Sequence, residues 1–214
     1  MITKLTIGGV DVQATYGLYL SWRKPAAPEP RTSYTDIPGR DGALDTTEAL
    51  GRVFYGDREI PLDLIHPGKT WDTDISGFVS AFHGQKRKIV FSSDPDYYWL
   101  GRITVDDYDA KSGKLSASAR CYPYKLKATE TTVTKSISSA GTTVTLKNDR
   151  MPAVPSITVT ADTTIAWTKD GETVTKTLSA GTWSVAGLVL EEGDNVFTVS
   201  GSGTFTAKWQ EGRL

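Results

Sequence analysis

The chain has 214 residues and a formal net charge of −1, setting 24 Lys and Arg against 25 Asp and Glu. That length suits one large domain or two modest ones, and so even a charge balance disfavours nucleic-acid binding as the main task. With 38% hydrophobic and 23% charged residues the chain is folded and turn-rich, and its single cysteine and two histidines exclude an intramolecular disulfide and a Cys/His zinc cage.

The N-terminus alternates like a strand from Met1 onward, so no signal peptide is expected, and no apolar run of about eighteen residues is present to insert into a membrane. Synthesis in a cytoplasm follows. Residues 4–7 and 10–14 flank Gly8-Gly9 and read as a hairpin. Residues 17–22 give a further strand, and the Pro25, Pro28 and Pro30 stretch is an extended surface connection because proline lacks the amide donor. Residues 34–37 resume a strand that stops at Pro38-Gly39. Residues 52–64 read as a long strand or a pair, with Pro61 marking an edge or a bulge.

One stretch is helical: Ile75, Phe78, Val79 and Phe82 form a single apolar stripe, with Asp72 or Thr73 as N-cap and Gly84 as terminator. Strands follow at 89–91, 97–105 and 115–122. Composition then changes near residue 128, for the last 86 residues hold nineteen Thr in almost pure alternation. Eight short strands (132–137, 142–146, 157–160, 164–168, 172–178, 181–185, 195–200 and 203–209) are separated there by Gly-containing turns such as Lys169-Asp170-Gly171, the spacing of a β-sandwich. The expected fold is mainly β: an α+β domain over 1–128 with one short helix, and a β-sandwich over 129–214.

Few residues suggest chemistry. His66 precedes a Pro-Gly turn and His83 ends the helix, where a cation suits the carbonyl end of the dipole. Cys121 sits in an alternating strand and reads as a small buried hydrophobe. Asp106, Asp107 and Asp109 are hairpin acids without the glycine and distal glutamate of a calcium loop, and Lys86-Arg87-Lys88 is too short for a nucleic-acid patch. No catalytic residue, metal or cofactor is implied. Trp167, Trp183 and Trp209 are candidate glycan contacts, since indole faces stack on sugar rings, although aromatic residues on alternating strands mostly fill cores. A carbohydrate-binding module is therefore the alternative function.

The segment Asp36-Ile37-Pro38-Gly39-Arg40-Asp41-Gly42-Ala43-Leu44-Asp45 forces two tight turns in succession. It resembles the Ile-Pro-Gly-Arg-Asp-Gly-x-Leu-Asp pattern of the distal tail proteins of long, non-contractile-tailed bacteriophages. Three further stretches resemble that family in order: residues 94–102, residues 120–125 around Cys121-Tyr122-Pro123, and the closing Glu192-Gly193-Asp194-Asn195 to Thr204. The resemblance implies a structural hub of the tail tip, not an enzyme. In it an N-terminal domain builds a homohexameric ring and a galectin-like sandwich projects from it. It also implies a place in the virion between the tail tube protein and the tail-associated baseplate protein, with receptor-binding proteins on the periphery in some phages. The C-terminal domain here is short, without a long inserted loop, and has no histidine from which to build the sugar site of true galectins. Ile37, Pro38, Gly39, Arg40, Asp41, Gly42, Leu44 and Asp45 are the candidate oligomer-interface loop. Stable DNA binding is not expected.

Overall fold

The computed structural model describes residues 3–169 and 171–214. Met1 and Ile2, read above as strand, and Asp170, read as turn, lie outside them. The chain divides into two units, residues 1–125 with Leu214 and residues 126–213.

In the first unit β1 (Leu5–Ile7) and β2 (Val10–Asp11) pair with Ile7 opposite Val10, and Gly8 and Gly9 take φ of +60° and +88° between them. Positive φ at both central residues gives the turn a twist that matches the strands. The strand expected to continue to Ala14 instead becomes a helix, α1 (Val12–Tyr16), because the Asp11 carboxylate accepts the Ala14 backbone N–H at 3.0 Å. An N-cap aspartate satisfies a donor that the helix leaves free, and Val12 turns fully into the core. The unit thus carries two helices where one was expected.

β3 (Tyr19–Arg23) is followed by the short β4 (Tyr34–Thr35) and β5 (Leu44–Asp45), then by β6 (Arg58–Ile65), which starts six residues later than the expected 52. β6 lies between two neighbours, so Pro61 is not on an edge strand. Its carbonyl accepts the Lys24 N–H at 3.4 Å, just where β3 has ended. The missing proline donor faces that same side, where no strand needs it. α2 (Trp71–Phe82) begins before the expected cap: Asp72 and Thr73 lie within the helix, and Thr70 occupies the cap position without a side-chain bond to the backbone. β7 (Lys86–Phe91), β8 (Tyr97–Asp109) and β9 (Lys114–Cys121) complete an antiparallel sheet with the path β2-β1-β7-β8-β9-β6-β3.

Alternation decides which face of this sheet is dry. Ile60, Leu62 and Leu64 of β6, Ile103 of β8 and Ala117 and Ala119 of β9 form one core with Ile75, Phe78 and Phe82 of α2. Their cross-strand partners place the intervening Arg102, Arg120 and Glu59 in one rank on the opposite, exposed face.

β10 (Lys125–Lys127) spans the division. The second unit continues with β11 (Thr131–Ile137), β12 (Thr142–Asn148), β13 (Ser156–Val159), β14 (Thr163–Lys169), β15 (Glu172–Leu178), β16 (Gly181–Ser184), β17 (Gly193–Gly201), β18 (Gly203–Trp209) and β19 (Gly212–Arg213). The eight strands expected here are β11 to β18. They form two four-stranded antiparallel sheets, β11-β18-β13-β16 and β12-β17-β14-β15. Ile157, Val159, Phe205 and Trp209 of the first meet Val144, Leu146, Ile165 and Phe197 of the second in one core. Threonines at outward positions pair their hydroxyls across strands, Thr134 with Thr206 at 3.1 Å and Thr158 with Thr182 at 2.9 Å, whereas Thr163 is buried.

Candidate functional site

All eight residues of the candidate interface loop lie on an exposed arm, residues 24–57, from which no side chain enters the hydrophobic core of the first unit. The loop is the tip of a hairpin in which Tyr34 faces Asp45 and Thr35 faces Leu44. Below the strands, Thr46 N–H donates to the Ser33 carbonyl at 2.8 Å and Ser33 N–H to Thr47 Oγ1 at 3.0 Å. Asp45 accepts the Thr47 N–H at 2.9 Å, and hydrogen bonds from the Thr47 hydroxyl and backbone hold its carboxyl below the usual carboxylate range. At the tip, Arg40 N–H donates to the Ile37 carbonyl at 3.2 Å, and Gly39 and Gly42 take φ of +82° and +76°. The side chains of Arg40 and Asp41 have no hydrogen-bond or ion-pair partner among the described residues. The two legs of the arm pair with each other near its base at Pro30 and Tyr55, where Arg31 N–H meets the Phe54 carbonyl and Gly56 N–H the Glu29 carbonyl, both at 2.8 Å, and Asp57 meets Arg120 of β9 at 2.8 Å.

The arm exposes its apolar residues. Tyr34 is 62% and Leu50 81% exposed, and Ile37, Leu44 and Phe54 are exposed as well. β3, the last strand of the sheet's path among the described residues, shows the same trait: Tyr19, Trp22, Ile65 and Pro67 line an open groove of about 620 Å³. Sequence periodicity did not single out this edge, since its alternation looks like that of any half-buried strand.

The ionisable groups buried in this unit are structural. His66, read above as a loop residue, is buried, and Gly68 N–H donates to its Nδ1 at 3.1 Å. Nε2 must then carry the proton, which it donates to Asp74 at 2.8 Å. The Thr70 hydroxyl donates to the same carboxylate oxygen at 2.6 Å. Thr70 first, and His66 next, hold the Asp74 carboxyl below the usual range. The cluster ties the end of β6 to the first turn of α2, and the sequence signal for it was Asp74 itself, an acid placed eight residues after the histidine. Burial pushes the Cys121 thiol up to about 12, partly opposed by the nearby Arg58 guanidinium. A thiol so rarely ionised is a poor nucleophile. Arg58 lies against the Trp99 ring at 4.4 Å, and burial lowers its own pKa.

The three tryptophans of the second unit do not form one platform. Trp209 is 2% exposed and Trp167 8%, both within the core between the sheets. Trp183 is 39% exposed and its Nε1 donates to the Ser179 carbonyl at 2.9 Å. Among the described residues no group of three or more His, Cys, Asp or Glu is placed to hold a metal ion, and no helix is long and apolar enough to cross a membrane.

No protein-family model and no curated protein matches the chain. Among solved structures it is similar to the Dit (gp 19.1) protein of SPP1, described as a paradigm of the hub adsorption apparatus in phages that infect Gram-positive bacteria. The match covers 100% of both chains at a TM-score of 0.68 and 16% sequence identity. The chain therefore has the fold of that protein from end to end.

Proposed function

We propose that the protein is a structural hub of a phage tail tip, located in the virion and forming a hexameric ring between the tail tube protein and the tail-associated baseplate protein. The observation that carries this reading is the end-to-end fold match to a protein named for hub adsorption. The first unit is the ring builder, and the second is a galectin-like sandwich. The protein has no catalytic role and forms no stable complex with nucleic acid.

Two surface features support assembly. An arm that exposes five large apolar residues and adds none to the core costs solubility unless another surface covers it. The edge of β3, with its apolar groove, is a second and different surface, and a closed ring needs two unlike faces on each subunit. The loop at Ile37 to Asp45 belongs to the contact, with Arg40 free to bond carboxylates or carbonyls of a neighbour.

Size-exclusion chromatography with light scattering, with negative-stain imaging of the main peak, tests the reading. A six-fold ring is expected. A strict monomer at high micromolar concentration, with no ring in the images, refutes it.

A further inference from the structure

The outer face of the first unit's sheet carries charges that its own fold leaves unmet. Lys86 of β7, Arg102 of β8 and Arg120 of β9 stand directly opposite one another across three adjacent strands, and like charges so placed repel. Arg120 is met: Asp57 lies at 2.8 Å and Glu59 is its cross-strand neighbour on β6. Lys86 and Arg102 have no carboxylate partner among the described residues, and the Arg102 guanidinium donates to the Gly84 carbonyl instead. The three cations border a groove of about 430 Å³ whose apolar part is Leu100 and Tyr122, the latter 46% exposed.

The arm is complementary to that groove. Residues 34–50 hold four acids, Asp36, Asp41, Asp45 and Glu48, against one cation, Arg40. Asp36, Asp41 and Glu48 have no side-chain partner among the described residues, so the tip does not bond the cations of its own chain. The same hairpin exposes Tyr34, Ile37 and Leu44, apolar surface to set against Leu100 and Tyr122. The groove at β3 suits the tip less well: its cation, Arg23, already donates to Ser93 Oγ at 2.7 Å and lies against the Phe91 ring at 3.9 Å. Carboxylates pressed there would lose water without gaining a cation.

We infer that the arm tip of one copy docks in the cationic groove on the sheet of the next copy. The inference rests on the ring reading and names the surface that receives the arm. Arm tip and groove are different faces of each subunit, so the contact is head-to-tail and is able to close into a ring. Carboxylates brought to Lys86 and Arg102 turn a repulsive cross-strand pair into an attractive cluster.

The test is charge reversal in the full chain, read by light scattering as mass distribution against concentration. Lys86→Glu with Arg102→Glu reverses the groove, and Asp36→Lys with Asp41→Lys reverses the arm. All four side chains are exposed, so both double variants should keep the wild-type circular dichroism spectrum. Each variant alone should need about tenfold or more protein to assemble. An equimolar mixture of the two should assemble like wild type, because the intact arm meets the intact groove and the reversed arm meets the reversed groove. Assembly of either variant alone at wild-type concentration overturns the inference while the ring stands, and so does a mixture that stays as dissociated as its components. A short DNA duplex that binds wild type and is released by the groove reversal, with assembly unchanged, also overturns it and gives the groove to nucleic acid. A monomeric wild type refutes the ring and the docking together.

Discussion

Residues 24–57 and the sheet of the first unit that they leave and rejoin differ in where their apolar side chains go. The sheet and α2 bury Ile60, Leu62, Phe78 and Ile103 almost completely, whereas the arm leaves Tyr34, Ile37, Leu44 and Leu50 in water. Both segments are hydrogen-bonded, so pairing alone does not distinguish them. A two-stranded hairpin with two residues per strand is at best marginal by itself, while the sheet gains roughly 25 cal/mol for each Å² of apolar surface it removes from water. The difference teaches that burial in this unit is concentrated in the sheet and α2, and that the arm adds little to it.

Several substitutions can break or sharpen that contrast. Phe78→Ala removes a fully buried ring that packs edge-on against Tyr16 and Phe82, and it should cost about 3–5 kcal/mol of the first unit's stability. Urea unfolding measures this, and a loss under about 1 kcal/mol would mean that the sheet and helix core matters less than its burial implies. His66→Ala leaves the Gly68 N–H without its acceptor and the Asp74 carboxylate with only the Thr70 hydroxyl, for an expected loss of about 1–3 kcal/mol in the same assay.

The pH dependence follows from Asp74, whose folded pKa is depressed. Its contribution is fully present above the unfolded carboxylate value of about 3.9 and is lost as pH falls through the lower folded value. The urea midpoint of the first unit should therefore drop on acidification below that value. Thr70→Val, which removes the largest cause of the shift, should flatten the drop; an identical slope in wild type and variant would assign it to other carboxylates.

On the arm the consequences should stay local. Gly39→Val forces a β-branched residue to a φ of +82° with open space around its Cβ, so the cost of about 1–3 kcal/mol is backbone strain. Because the core does not depend on the hairpin, faster proteolysis within residues 36–43 is expected at an unchanged urea midpoint. A fall in the midpoint would show the arm coupled to the sheet after all. Arg40→Ala should have the smallest effect on the folded chain, below about 0.5 kcal/mol, yet shift the mass distribution toward smaller species as concentration falls. An unchanged distribution would remove Arg40 from the proposed contact.

Local sequence determined a good deal of this protein. Gly8-Gly9 dictated a turn that only positive φ can make, the stripe from Ile75 to Phe82 dictated α2, and the Thr alternation after residue 128 dictated the strands of the sandwich, because each of those signals is complete within a few residues. Tertiary structure decided what depends on partners far along the chain. Asp11 is as compatible with a continuing strand as with an N-cap until Val12 finds the core. Pro61 reads as an edge until the place where β3 ends is known. His66 looks like any loop histidine until α2 brings Asp74 within 2.8 Å. Trp167, Trp183 and Trp209 have the same local context and different fates, because burial is a property of the opposing sheet and not of the strand that carries the ring. The arm is the clearest case: its apolar residues alternate and turn like those of the sheet, and what leaves them exposed is that, among the described residues, no layer packs against them.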